Sequence, residues 1–177
     1  DRKCFDFFHP LMHNEPLIFV EVALTSNVPE SIDEVIKIDR AITLDEDINT
    51  AVFYSISNCQ EGLSGISFGN FLIKNVAHKL KQENEGLNRF VTLSPAPSFA
   101  EWLTEKSIDE NMDEDLLLKQ ALIYLTDSDS EDGLPNDPVD KFHLGNGAIL
   151  EKVNLNADLS AKGIKQSKGV MVNYLYN

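Results

Sequence analysis

Cysteine is scarce in this sequence, and so is positive charge. Cys4 and Cys59 are the only thiols and form no C-x-x-C pair. That excludes a disulfide framework and gives no zinc signature, and it points to a reducing compartment, taken here as the cytoplasm. Fifteen Lys and Arg face 29 Asp and Glu, a net charge of −14, so a nucleic-acid partner, which asks for a basic surface, is not expected. No apolar run approaches the roughly 20 residues of a membrane span, and no signal peptide opens the chain, so no membrane partner is expected. The acidity is uneven: residues 105–137 hold eleven Asp and Glu against two Lys. The rest of the chain can therefore still carry a local basic pocket. With 177 residues, 42% hydrophobic and 25% charged, one globular domain is expected that buries about two-thirds of its unfolded surface. The chain begins at Asp1 and ends directly after a strand-like run, which suggests an excised domain.

The most organised stretch is residues 51–81, AVFYSISNCQEGLSGISFGNFLIKNVAHKLK. Ala51 to Ser57 has the composition and length of a strand. Gly62, Gly65 and Gly69 then mark a loop of little bulk. From Phe71 the period changes, and Ile73, Val76, Ala77 and Leu80 fall on one helical face. A glycine loop feeding a helix N-terminus offers free N–H groups and a positive dipole end, which suits a phosphate or pyrophosphate. It equally suits a plain strand-to-helix connection, and neither standard nucleotide-loop spacing is matched. Gly65 to Gly69 fits G-x-S-x-G, the nucleophile elbow of hydrolases. The residues NCQEGLS, however, part Ser57 from Gly65, where the elbow requires the strand to run straight in.

Around this unit, Lys3–Phe8 and Pro16–Leu24 read as a strand hairpin, and Val28–Ala41 as a helix with Ser31 or Asp33 as cap, or as an irregular excursion. Arg89–Leu93 is a strand stopped by Ser94-Pro95-Ala96-Pro97, because two prolines remove ladder donors. Ser98 and Glu101 form an S-x-x-E capping box before FAEWL. Leu116–Leu125 is a helix, and TDSDSEDGLPN an exposed loop. Asp137-Pro138 starts a helix that Gly145-Asn146-Gly147 ends near Leu144. Ala148–Leu155 and Val170–Tyr176 are strands about a polar KGIKQSKG segment. The alternation predicts an α/β layered domain.

Few residues stand out for chemistry. His143 lies in the last turn of its helix, where the dipole favours the imidazolium and makes it a candidate proton donor; the alternative is a histidine capping a carbonyl. Ser94 is a rigidly presented hydroxyl or an ordinary loop serine. Asn146 and Asn173 orient a substrate or serve turns and ladders. His9, His13 and His78 have no comparable setting. Lys162, Lys165 and Lys168, joined by Lys74, neutralise a terminal phosphate or are a solvated face.

FYSISNCQEGLSGISFGNFLIK, TLSPAPSF, DPVDKFHLGNGA and GVMVNYLY, in that order, resemble the catalytic domain of the malonyl-CoA decarboxylases. The resemblance runs from about Cys4 to the C-terminus. It implies the GNAT fold of the N-acetyltransferases, with a mixed sheet flanked by helices. It also implies that residues 1–177 are a single catalytic domain, without the family's N-terminal helical domain that builds its homo-oligomers. Ser64, Gly65, Ile66, Ser67, Phe68, Gly69 and Asn70 would hold the pyrophosphate and pantetheine region of coenzyme A. Ser94 and His143 would be the catalytic dyad, with Ser55, Tyr176 and Asn146 in support. Malonyl-CoA and acetyl-CoA would be the ligands, and neither metal nor biotin is implied. Two departures stand out: serine at 67, where animal members carry an acidic residue, and a short stretch between Ser94 and His143. On the same fold an N-acyltransferase using acyl-CoA, or a non-catalytic CoA-binding module, are the competing expectations.

Overall fold

A hairpin of β1 (Arg2–Phe8) and β2 (Pro16–Thr25) opens the chain, and β2 pairs antiparallel with β3 (Thr50–Asn58). The computed structural model describes residues 2–39, 43–63, 69–109, 111–126 and 137–176, with backbone alone at 69 and 70. Among these, seven strands form one sheet in the order β1-β2-β3-β4-β7-β5, with β6 beside β7. The later strands are β4 (Arg89–Thr92), β5 (Ser94–Pro95), β6 (Ile149–Asn154) and β7 (Met171–Tyr176). β3 and β4 run parallel and the other pairs antiparallel, so the sheet is mixed.

Period-two alternation sorts the core onto two faces. Val20, Val22, Ala51, Phe53, Val172 and Tyr174 point to one side, against α2 (Gly69–Glu83), α3 (Phe99–Glu105) and α4 (Glu114–Thr126). Ala23, Val52, Val91, Leu93 and Met171 point to the other, where Val35 of α1 (Asp33–Ile36) and Ala157 cover them. The face of α2 read from the sequence is buried at Ile73, Val76 and Leu80.

Four expectations need correction. The segment 28–41, expected as a helix or an irregular excursion, holds only the single turn α1 among its described residues, with Ile32 rather than Ser31 or Asp33 at the N-cap. Glu34 accepts hydrogen bonds from the Glu30 and Ser31 backbones and the Ser31 hydroxyl, so the turn closes on itself. Ser98 stands at the N-cap of α3 but makes no capping bond, its φ of −100° and ψ of 4° being wrong for one. Its hydroxyl faces Tyr124 instead. The prolines do not end pairing at Ser94: Ser94 and Pro95 pair with Val172 and Met171. The polar KGIKQSKG segment contains a helix, α6 (Ala161–Ser167), capped by Ser160 Oγ on Gly163 N at 3.0 Å. Gly163 is required there, because a Cβ would lie 2.3 Å from the Asp158 side chain.

What positions the site is a divergence within the sheet. β3 and β4 pair only from Thr50–Arg89 to Phe53–Thr92, and Leu93 N donates the last bond, to Phe53 O at 2.9 Å. β3 then continues along β2 to Asn58, while Ser94 swings over to β7. The two strands splay, and the gap between them is a cavity.

Candidate active site

The cavity has a volume of about 680 Å³ and is walled by β3 from Phe53 to Asn58, by Leu72 of α2, and by Leu93, Ser94 and Pro95. Pro138, Val139, Phe142 and His143 of α5 (Pro138–Gly145) close it, with Lys162 of α6 at its side. Among the described residues, Lys162 is the one lining side chain with a permanent charge.

Asp137 starts α5 from its N-cap, accepting from Val139 N at 2.8 Å and Asp140 N at 3.1 Å, with Pro138 in the first turn. That fixes the helix so that its last turn carries His143 to Ser94. Ser94 Oγ and His143 Nε2 are 3.0 Å apart, and His143 Nδ1 and the Tyr176 hydroxyl are 2.9 Å apart. Ser94 Oγ also donates to Thr92 Oγ1 at 3.0 Å, and Thr92 Oγ1 accepts from Tyr174 N at 3.2 Å. The imidazole is packed among three rings. Tyr174 stacks on its face at 4.5 Å and 25°; Phe142 and Tyr176 stand edge-on at 5.0 and 6.0 Å.

The expected protonation of His143 is corrected by this environment. The imidazole is 3% exposed, and burial pushes its pKa down from 6.5 to about 3. A helix end favours a cation by only about 0.3–2 kcal/mol, less than the cost of drying an imidazolium. Burial therefore holds the ring neutral. Nor does the ring cap a carbonyl: its nitrogens face Ser94 and Tyr176.

Ser55 lines the same cavity from β3. Tyr176 reaches His143 from behind, outside the lining. Asn146 ends α5 as its C-cap and its side-chain nitrogen is buried without a partner, away from the cavity wall. Asn173 is structural: it donates to Thr92 O at 3.0 Å and Pro29 O at 3.3 Å and accepts from Asn154 at 2.6 Å. Gly69 and Asn70 form the first turn of α2, while Ser64, Gly65, Ile66, Ser67 and Phe68 lie outside the described residues. The basic cluster divides, with Lys162 on the cavity and Lys165 exposed. Among the described residues no group of three or more His, Cys, Asp or Glu is placed to hold a metal ion, and no helix is long and apolar enough to cross a membrane.

Asp137 caps α5 as its sequence predicts, but the sequence reading did not single out Thr92, Tyr174 or Asp140; both acids are fully enclosed. Asp137 Oδ2 accepts from the Tyr124 hydroxyl at 2.6 Å. The available signals were the i, i+3 spacing of Asp140 and His143 on α5 and the alternation of Thr92 with Ser94 and of Tyr174 with Tyr176.

A splayed mixed sheet around such a cavity defines a class. The loading GNATL domain of CurA from Lyngbya majuscula matches this fold with a TM-score of 0.65 at 15% identity, over 94% of this chain and 73% of that one. The fold is GNAT-like. A family model described as the malonyl-CoA decarboxylase C-terminal domain matches residues 1–120 and 105–177, and the chain belongs to that family. A crystal structure of malonyl-CoA decarboxylase from Rhodopseudomonas palustris is similar, with a TM-score of 0.88 and 44% identity over 99% of this chain and 47% of that one. The mitochondrial malonyl-CoA decarboxylase of Anser anser anser is 34% identical over 223 residues, covering 99% of this chain and 44% of that protein. The chain thus spans about half the length of these relatives. The 223 aligned positions exceed its 177 residues, so the goose relative carries residues that this chain lacks.

Proposed function

We propose that this domain decarboxylates malonyl-CoA to acetyl-CoA and CO2, with Ser94 and His143 as the acting pair. The observation that carries the reading is the 3.0 Å contact of Ser94 Oγ with His143 Nε2 on the wall of the cavity between the splayed strands. Breaking the bond from C2 to the carboxylate leaves its electron pair on C2, and the thioester carbonyl takes it up as an enolate. C2 then takes one proton. The step asks for a carboxylate held out of water, a hydrogen bond to the developing oxyanion, and a placed proton donor. It demands no metal, biotin or covalent intermediate.

Ser94 binds and orients the malonyl end, and Thr92 and His143 fix its hydroxyl. His143 faces C2 with Nε2. Burial alone keeps the imidazole neutral, and an anionic malonyl end beside it raises its proton affinity. The substrate's own charge therefore holds a proton on the ring, Nδ1–H donates to the Tyr176 oxygen, and Nε2 passes its proton to C2 after CO2 leaves. The mostly apolar wall, with Lys162 as its one cation among the described residues, favours loss of the charged carboxylate over its retention. Lys162 and the start of α2 are suited to the phosphates, and Ser55 to the acyl or pantetheine amide end. The exposed free thiols Cys4 and Cys59 support a reducing compartment such as the cytoplasm. Residues 1–177 act as one catalytic domain.

The test is incubation with malonyl-CoA while acetyl-CoA and CO2 are followed, with and without EDTA. Equimolar release, unchanged by EDTA, is expected. Acyl transfer to an amine with malonyl-CoA untouched, or binding without CO2, would overturn the reading.

A further inference from the structure

The two in-plane contacts of His143 do not fix the ring. Ser94 at Nε2 and Tyr176 at Nδ1 hold the line through the two nitrogens. The imidazole is still free to roll about that line, which would swing its N–H directions off their targets. Phe142 and Tyr176 meet it edge-on, at 81° and 79°. The face contact comes from Tyr174, stacked at 4.5 Å and 25°. Tyr174 is fully buried, and its backbone N–H also holds Thr92 Oγ1, the hydroxyl beside Ser94.

What holds the Tyr174 ring is less ordinary. Its hydroxyl and both carboxyl oxygens of Asp140 are buried with no partner at hydrogen-bonding geometry, and the two groups face each other. A hydroxyl donor and a carboxylate acceptor buried side by side are costly apart, and each is the natural partner of the other. Asp140 sits one turn before His143 on α5, so the group that grips the plate rides on the helix that carries the imidazole.

We infer that Tyr174 and Asp140 are positioning residues for His143: the Tyr174 ring stops the imidazole from rolling, and the Asp140 carboxyl holds that ring by its hydroxyl. This rests on the reading that His143 acts on a bound malonyl thioester. The titratable groups facing Asp140 are Tyr174 from β7, Asp137 from the start of α5 and Tyr124 from α4. Burial and the Asp137 charge raise its pKa to about 6, which leaves a carboxylate to accept the Tyr174 hydroxyl at neutral pH.

Two readouts test this, and only one needs turnover. Tyr174→Leu lowers kcat about 10- to 100-fold, the scale of a misplaced catalytic group, with KM changed less than about threefold, while Tyr174→Phe stays within about fivefold of the parent. In ring-nitrogen NMR, His143 stays neutral between pH 5 and 8 in the parent and in Tyr174→Phe; in Tyr174→Leu it titrates within that window. An unchanged kcat together with a non-titrating His143 in Tyr174→Leu overturns the proposal. Should Tyr174→Leu fail to fold, Tyr174→Phe, Asp140→Ala and their double variant decide. Both singles lose about two- to fivefold in kcat, the worth of one hydrogen bond, the double loses no more than the worse single, and Asp140→Asn restores activity. Additive losses, or none, overturn it. If the parent protein releases no CO2 from malonyl-CoA, the reaction falls while the NMR result still decides the positioning.

Discussion

Helix α5 carries two buried titratable groups whose surroundings pull them in opposite directions. His143, towards the cavity, has a partner at each nitrogen, and burial holds it neutral with a pKa near 3. Asp140, towards the core, has no partner at hydrogen-bonding geometry, and burial with the neighbouring Asp137 raises its pKa to about 6. Burial disfavours the charged form of both. The difference lies in what each loses by it. The imidazole remains a two-ended hydrogen-bonding group when neutral, so dryness suits its proposed role. The carboxylate is ionised at neutral pH with its charge buried, so it costs stability. One end of the helix is arranged for chemistry, and the turn before it tolerates strain to support that arrangement.

Four substitutions sharpen or break this contrast. The largest effect is expected on the cavity side: Ser94→Ala loses about 10- to 100-fold in kcat/KM, the worth of a hydrogen bond to a charged group. Steady-state kinetics with malonyl-CoA read it, and full retention would return Ser94 to the role of a strand residue. On the core side, Asp137→Ala removes the α5 cap and the carboxylate that accepts from the buried Tyr124 hydroxyl, costing about 2–4 kcal/mol by urea unfolding. A loss within error would mean that α5 is held by packing alone.

Asp140 gives a signed pH dependence. Its folded pKa lies above its ordinary value, so its contribution to stability is fully present below about pH 4 and is lost as pH rises through about 6. Asp140→Asn therefore raises the Tm at pH 7.5, by an amount equivalent to about 1–2 kcal/mol, and leaves it nearly unchanged at pH 4. Stabilisation at pH 4 but not at 7.5 would contradict the assignment. His143 runs the other way: its depressed pKa removes stability as pH falls below about 6.5 towards 3. The smallest effect is expected at Lys162→Ala, where KM for the CoA thioester rises about two- to fivefold at little cost in kcat, the scale of an exposed ion pair. An unchanged KM would make Lys162 a solvated side chain.

Much of the scaffold was legible because its signals are local. Period-two runs such as PLIFVEVAL and the 3.6-residue spacing of Ile73, Val76 and Leu80 do not depend on distant parts of the chain. The four quoted motifs pointed to the family for the same reason, each being a short run with fixed order. α6 was missed because its glycine looks like a breaker, and only the approach of Asp158 explains it. Ser98 fits a capping box on paper, but Tyr124, 26 positions on, claims its hydroxyl. The protonation of His143 was misjudged because the dipole of its own helix is visible in the sequence, whereas the rings of Tyr174 and Tyr176 that dry it arrive from β7. Tyr174 and Asp140 were unreadable together, since one is a strand residue and the other a helix residue, joined only by packing.

The central claim is that the buried imidazole beside Ser94, neutral on its own and protonated when the malonyl anion lies beside it, delivers the proton to C2 of that thioester. The most direct measurement is kcat and KM of His143→Ala on malonyl-CoA, with folding checked by circular dichroism. A positioned general acid is worth about 100- to 10,000-fold, so kcat should fall by at least the lower figure while KM stays within a few-fold. A folded His143→Ala protein with near-normal turnover would contradict the account.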